Sequence, residues 1–348
     1  MKEKENLYNL ETYNYSLPKE LIAQYPCEKR DESRLLRYKK ESGKIFHHIF
    51  YDLVDLFSKN DVLVLNNTKV IPARFFAVTE NNKKIEILLV NSVSPDNLTW
   101  KILAKGLSQG RSMPWHASTI DGINVPSKIE IEFINTETIK FKSYDNIKII
   151  LEKSGKTPLP PYIKRDPDET DIDRYQTVFA TEPGAIAAPT AALHFTEDLL
   201  EKIKKKGVGI FYITLHVGPG TFLPIRTNDI REHKLIPENF YIDQETWDKI
   251  QEAKKNKKRI VACGTTTVRA LEYAARIKKL SGQTNLYIAP GFEFKIVDAL
   301  ITNFHLPKTT LLVLVSAFIG WENVKKIYEE AIKQKYRFYS YGDGMFVN

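Results

Sequence analysis

The chain has 348 residues, 43% of them hydrophobic, which is enough to bury a sizeable core and to form two domains. Its formal net charge of +8 favours an anionic partner such as nucleic acid, although solubility alone would account for it. Two distant cysteines, Cys27 and Cys263, exclude a disulfide framework and a cysteine zinc cluster; with no secretion signal at the start and no apolar run long enough for a membrane, the expectation is a soluble, cytoplasmic protein.

Texture changes near residue 60 and again near residue 155. Between them lie short β-branched and aromatic runs, Val62 to Leu65, Phe75 to Val78, Ile85 to Val90, Trp100 to Leu103 and Lys128 to Ile134, with turn chemistry at Glu80-Asn81-Asn82. Residues 61–154 are therefore expected to form a small antiparallel β-barrel. Ser154 to Pro161, rich in proline, reads as a stiff exit from it. Helices and strands then alternate. Thr196 is placed to cap a helix ended by Gly207, a strand follows to Leu215, a helix covers Trp247 to Lys255, a strand spans Arg259 to Cys263, and a helix runs from Val268 toward Lys279. Such alternation predicts an α/β fold with a largely parallel sheet. The basic groups Lys202 to Lys206 and Lys254 to Arg259 fall near helix C-termini, where cations complement the dipole, so a solvated face is the better reading of them than RNA contact.

Polar residues gather where apolar runs end. His194, His216 and His305 each close such a run beside Thr, Asn, Gly or Pro; taken singly each is more often a structural histidine, and their spacing is not that of metal ligands, so no metal is expected. Gly218-Pro219-Gly220-Thr221 follows a strand without matching the dinucleotide fingerprint, since Pro224 interrupts it. Thr265, Thr266 and Thr267 stand between a strand and a helix, where one hydroxyl is expected to cap the helix and the remaining donors to hold an anion. Tyr336 to Asp343 interleaves aromatics with Arg337, which fits either a core strand or a surface that stacks single-stranded RNA; Arg174-Tyr175 offers a second such pair.

In order and wording these strings resemble the tRNA ribosyltransferase-isomerase family of queuosine biosynthesis. The likeness starts at Leu17 to Gln24 and Ser33 to Leu36 and continues through Leu65 to Arg74 and Arg174 to Ala180. It then runs through Pro189 to Phe195, Thr214 to Phe222, Gly264 to Arg269, Ala289 to Phe292, Thr302 to Thr310 and Tyr336 to Asp343. It covers nearly the whole chain, more loosely in the first dozen residues and the middle β region. Because residues 1–60 carry the pattern too, the resemblance implies a discontinuous α/β domain, 1–60 and 155–348, with the barrel of 61–154 inserted.

The resemblance further implies that the ribosyl part of S-adenosylmethionine is transferred and isomerised onto 7-aminomethyl-7-deazaguanine at the wobble position of tRNA. Epoxyqueuosine-tRNA, adenine and methionine would be the products, with S-adenosylmethionine a co-substrate and no permanently bound cofactor. Such chemistry needs a base for the acidic C5′ hydrogen, a proton donor near the purine and a partner for the aminomethyl group. His216 or His305 is expected as base and adenine-side acid, His194 as a further catalytic candidate, and Asp298 or Asp343 as partner of the aminomethyl group or base edge. Gly218, Gly220, Thr221, Thr265, Thr266 and Arg269 are expected around S-adenosylmethionine, and Arg174, Tyr175, Arg337, Tyr339 and Asp343 on RNA. One departure stands out: the family commonly has a second histidine three residues after the one matching His233, where this chain has Ile236, which cannot titrate. A methyltransferase acting on RNA would also be basic and α/β, but the chain lacks a glycine-rich cofactor loop followed by an acidic strand end. A non-catalytic RNA-binding protein would leave the clustered loop-end histidines and threonines without a purpose.

Overall fold

The structure is a computed structural model that describes residues 6–79, 83–106, 115–119, 129–222 and 224–348. The turn expected at Glu80-Asn81-Asn82 lies outside the described residues. In chain order the first strands are β1 (Arg34–Lys39), β2 (Lys44–Ile49), β3 (Asp61–Asn66) and β4 (Thr68–Val70), with the short helix α1 (Leu53–Leu56) before β3. Six strands follow: β5 (Arg74–Thr79), β6 (Lys84–Ser92), β7 (Thr99–Lys105), β8 (Trp115–Thr119), β9 (Glu130–Asn135) and β10 (Thr138–Phe141). Then come α2 (Tyr144–Lys153), α3 (Glu169–Arg174), β11 (Glu182–Ala185), α4 (Glu197–Lys205), β12 (Gly209–Leu215), β13 (Glu238–Tyr241), α5 (Gln244–Lys255) and β14 (Arg259–Cys263). The chain closes with α6 (Thr265–Ile277), β15 (Ser281–Thr284), β16 (Ala299–Asn303), α7 (Thr310–Ile319), α8 (Trp321–Lys333) and β17 (Gly344–Val347).

Nine strands form one sheet in the order β15-β13-β12-β3-β14-β16-β17-β1-β2. Its centre, β12-β3-β14-β16, is parallel, but β13, β15, β17 against β16, and β2 are antiparallel, so half of the neighbouring pairs are parallel and the sheet is mixed rather than largely parallel. The short turn of residues 40–43 makes β1 and β2 antiparallel neighbours, whereas two helices, α7 and α8, lie between the antiparallel pair β16 and β17, so helical connections here do not enforce a parallel return.

The strand Asp61–Asn66 was expected in the barrel, yet it is the middle of this sheet, paired in parallel with β12 and β14. Every residue of β3 is buried, as a strand covered on both faces must be. The barrel strands differ, since Ile85, Ile87 and Leu89 of β6 are buried at every second position. Strands β5 to β10 make an antiparallel sheet that curls until β9 pairs with β10, and its interior is filled by Phe75, Ile131, Phe133, Ile139 and the apolar face of α2. A two-stranded parallel pair, β4 with β11, lies where the barrel meets the large sheet.

Several local expectations hold. Thr196 accepts from the Leu199 amide at the start of α4, and Gly207 beyond its end has φ +84°. None of Thr265 to Thr267 caps α6; the N-cap is Gly264 at φ +89°, the three threonines form the first turn, and Thr267 Oγ1 donates to the Cys263 carbonyl at 2.6 Å. No helix among the described residues is long and apolar enough to cross a membrane.

Candidate active site

Parallel strands deliver their following loops to one edge, the carboxyl edge, and a crevice there is the usual ligand site of an open α/β sheet. Here that edge carries Asn66-Asn67-Thr68 after β3, His216-Val217-Gly218 after β12, Gly264-Thr265-Thr266 after β14 and Phe304-His305 after β16. Asn66, fully buried, ties two of these ends together: its Nδ2 donates to the Leu215 carbonyl at 2.9 Å and its Oδ1 accepts from the Leu215 and Thr68 amides at 3.0 and 3.2 Å. The side chain thus extends the ladder past the strand end and fixes Thr68 beside His216.

His216 sits half-buried with Nδ1 2.8 Å from Thr68 Oγ1, while its backbone amide donates to the Asn239 carbonyl at 2.9 Å. The ring lies against Gly184, whose φ is +149° and where a Cβ would come within 2.9 Å of the imidazole, so glycine is required there. Burial lowers the pKa of His216, and nearby Glu182 opposes the shift. It opens into a cleft of ≈ 400 Å³ between the sheet edge and the barrel. Asn91, Asn97, Trp100 and Tyr144 form the barrel side, and Gly184, Gly218 and Glu238 the other. That is room for a nucleoside.

A second, tighter pocket of ≈ 40 Å³ shares Val217 with the cleft. Thr190, Thr265, Thr266, Asn303, His305 and Ser340 line it. His305 is buried, Nε2 is 2.9 Å from Thr302 Oγ1, and burial pushes its pKa down to about 3. An imidazole that weakly basic is a poor acceptor for a carbon acid near neutral pH. β12 and β16, which carry the two histidines, are separated by β3 and β14, so three strand spacings, about 14 Å, lie between them. The two histidines face different spaces, His216 the cleft and His305 the tighter pocket.

His194 stands behind this pocket: Nδ1 is 2.8 Å from Ser33 Oγ and Nε2 3.4 Å from Asn303 Nδ2, with burial first and then Arg337 lowering its pKa to about 3. It orients Asn303, whose Oδ1 accepts from Thr190 Oγ1 at 2.9 Å. Gly218 and Arg269 meet through Glu238, which accepts from the Gly218 amide at 2.8 Å and from the Arg269 guanidinium. Gly220 lies on a neighbouring small pocket, and the side chain of Thr221 is outside the described residues.

Several expected site residues are not brought here. Asp298 precedes β16 and therefore lies at the opposite edge from His305, a five-residue strand of roughly 17 Å away. It pairs with Lys254 at 2.6 Å and accepts from the Ile260 amide at 2.9 Å. Asp343 is buried, which raises its pKa, and its oxygens accept from the Arg34 and Arg337 amides at 3.1 and 2.8 Å, so it staples the chain rather than facing a base. Arg337 donates to Cys27 Sγ at 2.6 Å and to the Tyr25 carbonyl at 3.3 Å. Arg174 donates to the carbonyls of Cys27 and Glu28. Tyr175 is fully buried, edge-on to Tyr341; Tyr339, buried edge-on to Tyr162 at φ +74°, is brought to the site, where it lines the tighter pocket beside Ser340. Burial of the Tyr175 and Tyr339 rings leaves them no exposed face for stacking RNA, and the N–H edges of Arg174 and Arg337 are engaged by neighbouring backbone and Cys27.

Asn66, Thr68, Gly184, Asn303 and Trp100 were not singled out as site residues from sequence. The signal for the first two was present, since an Asn-Asn-Thr string ending a wholly apolar strand must find polar partners. Ile236, at the family's second histidine position, lies on the wall of both the cleft and the small pocket beside Arg269. Among the described residues no group of three or more His, Cys, Asp or Glu is arranged for a metal.

A crevice at the carboxyl edge of a mixed α/β sheet, walled by a β-barrel, places the protein among α/β proteins that hold a small molecule at the strand ends. Residues 10–347 match the family model described as queuosine biosynthesis protein, and the chain belongs to that family. S-adenosylmethionine:tRNA ribosyltransferase-isomerase from Sulfurihydrogenibium sp. (strain YO3AOP1) is 49% identical over 97% of this chain and 99% of the relative. The Aquifex aeolicus (strain VF5) protein of the same name is 44% identical over the same shares. Among solved structures, the crystal structure of S-adenosylmethionine tRNA ribosyltransferase from Thermotoga maritima aligns with a TM-score of 0.56 and 36% identity, covering 97% of this chain and all of that one.

Proposed function

We propose that the protein transfers and isomerises the ribosyl moiety of S-adenosylmethionine onto 7-aminomethyl-7-deazaguanine at the wobble position of tRNA, in the cytoplasm, giving epoxyqueuosine-tRNA with adenine and methionine released. The observation that carries the reading is His216, half-buried and anchored by Thr68 in a cleft large enough for a nucleoside. In this reading residues 74–153 are an insert in the α/β unit that closes the cleft from one side, so that RNA enters between barrel and sheet edge.

The sulfonium acidifies the C5′ hydrogens of its substrate, and His216 removes one. Its depressed pKa keeps it unprotonated and ready at neutral pH. The free N–H groups of the first turn of α6, with Thr265 and Thr266 facing the tighter pocket, supply donors for polar substrate atoms without a counter-charge. Neutral His305 and Asn303 add fixed hydrogen-bonding groups to the same wall. The electron pair left at C5′ expels the ring oxygen from C4′, and that oxygen in turn expels adenine, which takes up a proton, leaving an aldehyde at C1′. The neutral aminomethyl nitrogen adds at C4′ and loses a proton, C5′ closes on the C1′ aldehyde, and the alkoxide so formed displaces methionine from C5′ to give the epoxide.

The test is incubation of the folded protein with S-adenosylmethionine and tRNA bearing the aminomethyl-deazaguanine base. Nucleoside mass spectrometry and adenine detection read it. Release of adenine with gain of the ribosyl mass supports the proposal; methylated RNA without adenine, or no change at all, overturns it.

A further inference from the structure

The smallest of three adjoining cavities lies between the Gly220 turn, α6 and α7, and joins the main cleft along Ile236 and Glu238. Two of the residues that line it each carry a buried donor without a hydrogen-bond partner among the described residues, Arg269 Nη2 and Tyr287 Oη, the latter also within electrostatic reach of Tyr13 and Asp229. The Arg269 side chain is only 7% exposed, its Nε donates to the Leu286 carbonyl at 2.9 Å, and its Nη1 is taken by Glu238. Burial raises the pKa of Tyr287, which keeps its hydroxyl a donor. Native interiors seldom leave a guanidinium N–H dry and unpaired, and two such donors on one wall call for an acceptor with more than one oxygen.

We infer that this pocket binds the α-carboxylate of the methionine end of S-adenosylmethionine, through Arg269 Nη2 and Tyr287 Oη. The inference rests on S-adenosylmethionine being the small substrate. Size agrees: ≈ 20 Å³ admits one or two water-sized atoms, the span of a carboxylate's oxygens and not of a ring, whereas the ≈ 400 Å³ cleft beside it admits the nucleoside. The helix N-terminus of α6 offers donors too, but every helix end does so, whereas of the buried guanidinium nitrogens left without a hydrogen bond among the described residues, Arg74 Nε, Arg174 Nε and Arg269 Nη2, it is Arg269 whose side chain lines this pocket. Glu238 divides the two cavities, so the ammonium of the same amino-acid end meets a carboxylate already held by Arg269 and the Gly218 amide.

The experiment compares affinities for S-adenosylmethionine and for its decarboxylated analogue by calorimetry, in the parent protein and in Tyr287→Phe and Arg269→Gln. The parent should prefer the carboxylated form by about tenfold or more, a preference that two charge-assisted hydrogen bonds can supply. Tyr287→Phe, which keeps the ring and should melt like the parent, should weaken S-adenosylmethionine about three- to tenfold and leave the analogue unchanged. Equal binding of both ligands by the parent overturns the inference, as does an equal loss for both in Tyr287→Phe, which would leave the pocket to water. If the parent binds neither ligand and releases no adenine with tRNA, the proposed function itself has failed, whereas turnover without discrimination removes only the carboxylate site.

Discussion

Thr68 Oγ1 lies 2.8 Å from His216 Nδ1, so the loop after β3 holds the imidazole delivered by β12. A base acting through Nε2 must carry its proton on Nδ1 and donate it to Thr68, and Nε2 has no protein hydrogen bond among the described residues. His216→Gln should therefore cut turnover by about a hundredfold or more while S-adenosylmethionine still binds, and Thr68→Val, which loses the tautomer's anchor, by about tenfold. Because burial depresses the pKa, the rising limb of kcat/KM should have its midpoint below the ordinary histidine value, with activity flat from pH about 7 upward. Steady-state kinetics across pH check this; near-normal turnover in His216→Gln would return the residue to a structural role.

Buried His194 and His305 predict a particular acid sensitivity. Both are held neutral with pKa values near 3, so the unfolded chain takes up protons first and stability falls as pH drops below the unfolded value. Between pH about 7.5 and 5 each should contribute a loss of about 2 kcal/mol, since roughly 1.5 pH units separate pH 5 from the unfolded histidine pKa. Urea unfolding at the two pH values should show a smaller pH difference in His194→Gln than in the parent. An unchanged difference would mean that His194 charges in the folded state.

The loops of His216 and His305 were legible because each follows an apolar strand, and so were β12, β14 and the caps of α4. β3 was misallocated to the barrel although its unbroken apolar run, Val62 to Leu65, is what a strand buried on both faces looks like; the neighbouring β-rich texture hid it. Asp298 was misplaced for a different reason. It abuts an apolar strand, but it precedes β16 instead of following it, and only the direction of the strand says which end faces the crevice. For Tyr175, Arg337 and Tyr339 no periodicity operates, since they sit in or beside loops where inward and outward positions do not alternate.

That correction changes what loss of Arg337 should do. Its guanidinium bridges Cys27, the Tyr25 carbonyl and buried Asp343, so Arg337→Ala leaves a buried carboxylate with one partner fewer and should cost about 1–3 kcal/mol. Thermal melting should shift down by several degrees, while affinity for tRNA below the transition stays near that of the parent. Weaker tRNA binding at unchanged stability would restore the residue to the RNA surface.

The RNA contact is expected instead on the barrel side of the cleft. Tyr144 is 57% exposed, and Trp100, steadied by Nε1 donating to the Asn97 carbonyl at 2.7 Å, faces the same space as His216. An exposed ring and a fixed indole lining one cleft are suited to stacking an unpaired base, and a base stacked on one aromatic side chain is worth about 1–3 kcal/mol. Trp100→Ala should therefore weaken tRNA binding by about fivefold to a hundredfold, with S-adenosylmethionine affinity little altered. Because stacking releases no counterions, the loss should be similar at low and high salt, unlike the loss of a phosphate contact. Filter binding over a salt series, alongside calorimetry with S-adenosylmethionine, separates the possibilities: a deficit that grows as salt falls would point to phosphate contacts displaced by a shifted barrel, and an equal deficit for both ligands would make Trp100 part of the cleft's frame.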